Sequence, residues 1–198
     1  MASFDDAEQQ PPPPDERAGY RMPPWAEAPS NVLPTSVALD LILVLRDDLA
    51  VWVAEARAYP SGVAFSLNTR TREPRNDQAS PFFSDIEADW AKLAVLFADG
   101  SRATFGGGDA DRWPSATRPD HPTITAGGGS GYGTFSTEEL WLWPLPPPGP
   151  LSIVFAWPAE RVSEMRLETD ATPIVEAAER AIELWPDDRP LPPGYRSS

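Results

Sequence analysis

The stretch Gly127-Gly128-Gly129-Ser130-Gly131-Tyr132-Gly133 has the composition of a loop that cradles phosphate. In a nucleoside-triphosphate site such a loop continues into Gly-Lys-Ser/Thr, and Lys92 is the only lysine in the chain. The dinucleotide pattern G-x-G-x-x-G fails as well: the window from Gly127 ends on Tyr132, and the one from Gly129 ends on Thr134. A nucleophile elbow, G-x-S-x-G, would need glycine where Tyr132 stands. The stretch is therefore expected to be a flexible surface loop. His121, the single histidine, lies in R-P-D-H-P-T and could act as a general base toward Ser130. No spacing ties the two together, so His121 is expected to be an ordinary loop residue.

Asp85, Glu87 and Asp89 alternate in S-D-I-E-A-D-W. Extended, they would place three carboxylates on one face, enough to attract Ca²⁺, and Asp109 and Asp111 could join from another loop. Neither run matches the helix–loop–helix calcium pattern, and nothing selects two of them as a glycosidase pair. A solvated acidic face is favoured. Arg70, Arg72 and Arg75 could grip an anion. Arg70 and Arg72 would also suit a charged, solvated sheet edge, which is the preferred assignment. The candidate ligand-binding set is aromatic: Trp113, Tyr132, Trp141 and Trp143. Trp141 and Trp143 share one face of an extended segment. Exposed, they would form a flat platform for sugars or proline-rich peptides; buried, they would be core, the commoner fate of large aromatics.

Composition narrows the chemistry. The chain has 198 residues, 41% of them hydrophobic, with 25 prolines, eight tryptophans and eight phenylalanines. That suffices for one domain with its own core. With no cysteine there are no disulfides, thiolate nucleophiles or cysteine-ligated metals, and one histidine cannot build a His₂ site within a chain. No metal or other cofactor is expected. The net charge of −14, from 16 basic against 30 acidic residues, argues against nucleic acid and anionic membrane as partners. The N-terminal residues lack the basic and apolar regions of a signal peptide. The longest apolar run, Val37 to Leu45, is too short to span a bilayer. A cytoplasmic protein is expected.

The elements follow from hydrophobic period. Residues 1–31 are polar, acidic and proline-rich, and are expected to be a disordered tail, with Trp25 as a late anchor. Val37 to Leu45 reads as a strand buried on both faces. Leu49 to Ala58 follows, with Trp52 on one face and Val51 and Val53 on the other. Tyr59-Pro60-Ser61-Gly62 has a type I turn signature. Val63 to Thr69 then alternates, with Val63, Phe65 and Leu67 inward, completing a three-strand meander. Trp90 to Ala98 and Ser101 to Phe105 flank a two-residue Asp99-Gly100 hairpin signal. A short strand at Pro122 to Thr125, strands at Glu139 to Trp143 and Leu151 to Trp157, and a weaker one at Val162 to Glu168 complete the β pattern. Trp141 to Pro158 holds two apolar runs around P-L-P-P-P-G, expected to be a rigid crossover. From Thr172, taken as a helix cap ahead of Pro173, apolar residues recur at helical spacing to Trp185. The expected fold is mainly β, an antiparallel β-sandwich over residues 32–186 with one C-terminal amphipathic helix at about 173–185 and a disordered tail at 187–198; a partly open β-barrel is the alternative.

The segments A-Y-P-S-G-V-A-F-S-L (58–67), W-L-W-P-L-P-P-P-G-P-L (141–151) and A-A-E-R-A-I-E-L-W-P (177–186) together resemble a family of uncharacterised actinobacterial proteins. The resemblance covers roughly residues 32–186 and implies one domain in an intracellular bacterial setting. It implies no catalytic residue or ligand. The expected role is a non-enzymatic protein-interaction or accessory module, contacting a protein partner or a second copy through sheet edges. Two alternatives are a carbohydrate- or peptide-binding module using exposed Trp and Tyr, and a carboxylate-based hydrolase with a divalent metal.

Overall fold

Alternating apolar residues build the strands, and prolines and glycines set where they end. The computed structural model describes residues 23–74, 82, 90–106 and 117–184. Its strands are β1 (Val32–Leu33), β2 (Thr35–Leu45), β3 (Leu49–Tyr59), β4 (Gly62–Thr71), β5 (Lys92–Leu96), β6 (Arg102–Phe105), β7 (Thr123–Tyr132), β8 (Phe135–Trp143), β9 (Pro150–Trp157), β10 (Val162–Asp170) and β11 (Ile182–Glu183). One helix, α1 (Thr172–Ala178), follows β10. All strand pairs are antiparallel. A five-stranded sheet runs β2-β3-β4-β8-β7, a four-stranded sheet runs β10-β9-β5-β6, and β1 pairs with β11. Neither large sheet closes on itself, so the architecture is a sandwich and not a barrel.

The inner faces meet in one core. Val51, Val53, Val63, Phe65, Leu67, Leu140 and Leu142 from the five-stranded sheet pack with Leu93, Val95, Phe105, Ile153, Phe155 and Trp157 from the other. The β2-β3-β4 meander forms as expected. The turn Pro60-Ser61 keeps both residues at negative φ, which the pyrrolidine ring imposes at Pro60. Trp141 to Pro158 does cross between sheets: β8 ends in one and β9 begins in the other. The Trp143–Pro144 peptide is cis, Pro146 is fully buried, and the Leu145 amide donates to the Ser61 carbonyl at 3.1 Å.

Several expectations are corrected. β2 is not buried on both faces. It is an edge strand whose residues alternate, with Ile42 and Leu45 exposed. Its register shifts twice, and Asp40 sits at φ 48°, a bulged geometry that twists an edge away from further pairing. Arg70 and Arg72 are not at an edge either, since the strand that Arg70 belongs to and Arg72 follows, β4, lies between β3 and β8. The glycine stretch is not a loop: Gly127 to Gly131 belong to β7 and pair with β8 through a register shift at Ala126/Gly128. Backbone pairing needs no side chain. At Gly129 a Cβ would come within 2.6 Å of the Glu138 carboxylate, so a larger residue there would require the Glu138 side chain to move. The Asp99-Gly100 hairpin has three loop residues, Ala98 to Gly100, closed by the Phe97 amide on the Ser101 carbonyl, with Gly100 at φ 84°.

The C-terminal helix stops at Ala178, not near 185. Ile174, Ala177 and Ala178 are buried, whereas Ile182 is exposed, so the apolar period outruns the contact surface. The chain turns there and pairs with the N-terminal segment, Val32 with Glu183 and Leu33 with Ile182. Thr172 is the first helical residue and not the cap. Its amide and hydroxyl both donate to the Asp170 carboxylate, at 2.9 and 2.7 Å. The expected tail boundary at 31 also moves, because residues from Pro23 onward pack on the domain. Among the described residues no helix is long and apolar enough to cross a membrane.

Candidate functional site: the outer face of the five-stranded sheet

Strand alternation sends Trp141 and Trp143 of β8 away from the inter-sheet core, together with Tyr59 of β3, Ala64 of β4 and Thr125 of β7. Outward-facing residues of a sandwich normally meet water. Here they are buried, Trp141 to 2% and Trp143 to 9% exposure, because the segment from Pro23 lies across them. This strap is held by side chains. The Trp141 indole Nε1–H donates to the Pro24 carbonyl at 3.1 Å, and the Thr125 hydroxyl donates to the Ala26 carbonyl at 2.8 Å. Trp25 meets Trp143 edge-on, centroids 6.4 Å apart, and Tyr59 meets Trp141 likewise at 5.5 Å. Trp141 and Trp143 therefore form no open platform in this state. They are the floor of a small second core.

Beyond the strap the same face becomes polar. Glu139 accepts from Arg57 and from the Ser66 hydroxyl, and Thr137 donates to the Asn68 side chain at 3.0 Å. Burial pushes the Tyr59 phenol up from its usual value; Arg57 opposes that shift and Glu139 adds to it. Farther along, the face is bare. Ile42 (54% exposed), Leu45 (74%) and Tyr132 (85%) stand on it with the half-buried Trp52 and Phe135, and Arg70 lies over the Phe135 ring at 5.1 Å. Cross-strand pairs Ile42–Trp52 and Phe135–Tyr132 put these side chains at opposite edges of one surface.

A groove of about 580 Å³ opens beside the crossover, lined by Phe97, Ser101, Arg118, His121, Trp143 and Pro144 among others. His121 Nδ1 lies 2.7 Å from the carboxylate of adjacent Asp120, which this contact holds below the usual carboxylate range. The Ser101 hydroxyl donates to Asp99, which is lowered in the same way. Arg118 stacks on Trp143 at 5.3 Å. The groove thus gathers one imidazole–carboxylate contact, one hydroxyl–carboxylate bond and one arginine–indole stack.

Of the residues singled out from sequence, Tyr132, Trp141 and Trp143 share the outer face, but only Tyr132 is open. Ser130 is exposed on β7, seven residues beyond the start of that strand, roughly 23 Å of extended chain, so it does not meet His121. Arg70 is engaged with Phe135. Trp113, Asp85, Glu87, Asp89, Asp109, Asp111 and Arg75 lie outside the described residues. Among the described residues no three His, Asp or Glu side chains gather as a metal site requires. Trp52, Phe135, Ile42 and Leu45 were not singled out as a site. Strand alternation already placed Trp52 on the face opposite Val51 and Val53, which was the available signal. Comparison of the chain with protein-family models, curated proteins and solved structures returns no match.

Proposed function

We propose that this chain is a non-enzymatic protein-interaction or accessory module, and that its contact surface is the bare half of the five-stranded sheet's outer face. The observation that carries this is the exposure of Ile42 and Leu45 with Trp52 at the β2 side, and of Tyr132 with Phe135 at the β7 side, of one sheet face. Single exposed apolar side chains need no explanation, but two aromatic and aliphatic groups on one face, with Arg70, Asn68 and Thr137 of the central strands between them, have the make-up of a contact surface. The β2 edge beside it is bulged, which favours contact through side chains over strand addition. With no cysteine in the chain, a reducing cytoplasm is the proposed setting.

The test compares wild type with Ile42→Ser/Leu45→Ser/Tyr132→Ser, each immobilised and exposed to native lysate. A protein retained by wild type and lost at least tenfold by the variant, at unchanged melting temperature, supports the assignment. Identical retention by both, with wild type monomeric by light scattering, overturns it.

A further inference from the structure

The strap is joined to the sheet in an unusual way: it makes no ladder with it. β1 pairs only with β11, and the two bonds from Trp141 and Thr125 run from side chains to strap carbonyls. This is how a groove holds a bound peptide, not how a sheet holds its own strand. The strap itself is a pre-formed ligand. The Ala26 amide donates to the Pro23 carbonyl at 2.8 Å, closing a turn with Pro24 at its second position, where the fixed φ suits the turn. Trp25 is the side chain this turn presents, edge-on to Trp143, and Ala26 is small enough to be buried at 4% exposure. Aromatic walls with an indole N–H aimed at a carbonyl next to proline are the elements by which proline-rich segments are read.

We propose that the groove formed by Tyr59, Trp141, Trp143 and Thr125 is a peptide-recognition site, occupied in cis by Pro23-Pro24-Trp25-Ala26. A second protein carrying a Pro-Trp-small turn displaces that occupant. The cis segment acts at the millimolar effective concentration typical of short tethers, so it raises the apparent dissociation constant of any competitor. On its C-terminal side it is clasped by the packing of Ala28 and Val32 and by the short β1–β11 pair with Asn31, whose carbonyl accepts from the Leu184 amide at 2.7 Å; a two-residue pair is among the easily opened parts of a fold. The site lies on the strap-covered half of the face and does not depend on the bare half proposed above as a contact surface.

The experiment titrates a fluorescein-labelled peptide of residues 20–30 into the full-length chain and follows anisotropy. Trp25→Ala, which removes the ring packed on Trp143 and so weakens the cis occupant, is expected to bind the peptide at least tenfold more tightly than wild type. Trp141→Phe in the Trp25→Ala background keeps an aromatic ring, loses the indole donor, and is expected to lower that affinity severalfold. A peptide whose tryptophan is alanine is expected to bind at least tenfold more weakly. A Trp25→Ala chain that melts cooperatively yet binds neither peptide overturns the proposal, as does equal binding of both peptides. Should Trp25→Ala fail to melt cooperatively, Trp25→Phe is held to the same criteria. A wild-type dimer by light scattering that Trp25→Ala makes monomeric, and that Ile42→Ser/Leu45→Ser/Tyr132→Ser leaves intact, would make a second copy's strap the occupant and overturn the cis assignment. Ile42→Ser/Leu45→Ser/Tyr132→Ser, which removes the bare patch, is expected in the Trp25→Ala background to bind the peptide as Trp25→Ala alone does, so the two proposals fail independently.

Discussion

Tyr59 shows how one residue reports on the strap. Its ring packs against Trp141 beneath the N-terminal segment, and its phenol is raised above the usual value of 10.0, mainly by burial, with Arg57 opposing and Glu139 reinforcing. A raised folded-state value means that the unfolded chain gives up this proton first. Stability from this group is then complete below pH 10 and is lost as pH rises through the folded value. The expected result is a decline in urea midpoint above pH 10 that is shallower in Tyr59→Phe, with both proteins alike at pH 7. Equal alkaline decline in both would place the loss elsewhere. Residue-level pattern was legible in part. Alternation correctly put Val63, Phe65 and Leu67 inward and Trp141 and Trp143 on one face. What covers that face was not legible, because Trp141 and the Pro24 carbonyl are 117 positions apart and no local period connects them.

At the scale of elements, two turn glycines separate two reasons for having glycine. Gly100 sits at φ 84° with nothing near an added Cβ, so its role is conformational. Gly62 has no such backbone need. An added Cβ there would lie 2.5 Å from the Leu142 carbonyl oxygen and 2.7 Å from the Trp141 ring, so its role is to let β8 and its indole approach the β3–β4 turn. Gly100→Ala is expected to cost about 1–2 kcal/mol, the usual penalty for an L-residue in the left-handed region. Gly62→Ala is expected to cost about 3 kcal/mol, the upper end for overpacking, since a backbone oxygen cannot step aside. Chemical denaturation of the two variants checks the order; a reversed order would mean that the Trp141 side of the turn can repack. The elements that sequence misplaced share a cause. Gly127–Gly131 looked like a loop because glycine has low strand propensity, yet β8 supplies the pairing that propensity lacks. The helix looked longer because Ile182 and Trp185 kept the 3.6 period, while the competing partner, Val32–Leu33, lies at the other end of the chain.

For the whole molecule, charge opposes compactness while the sandwich core favours it. The chain carries −14 from 30 acidic and 16 basic residues. The ion pairs on its surface are half-exposed: Arg57–Glu139 at 40% and 38%, Arg166–Glu168 more open still. Such pairs contribute about 0–1 kcal/mol each and are weakened by salt. Uncompensated carboxylates repel across the whole surface, and folding brings them closer. The Debye length falls from about 30 Å at 0.01 M to about 8 Å at 0.15 M, from near the size of the domain to well below it. Repulsion between distant charges is therefore removed over this range, while contacts within a few ångströms are only weakened. The melting temperature is expected to rise by several degrees between 0.01 and 0.15 M NaCl and then to flatten. Chloride suits the measurement because sulfate stabilises folded proteins by exclusion from their surface, which would imitate the effect. A melting temperature that falls over this range would show that the local pairs outweigh the net repulsion, and Arg57→Gln would then flatten the fall.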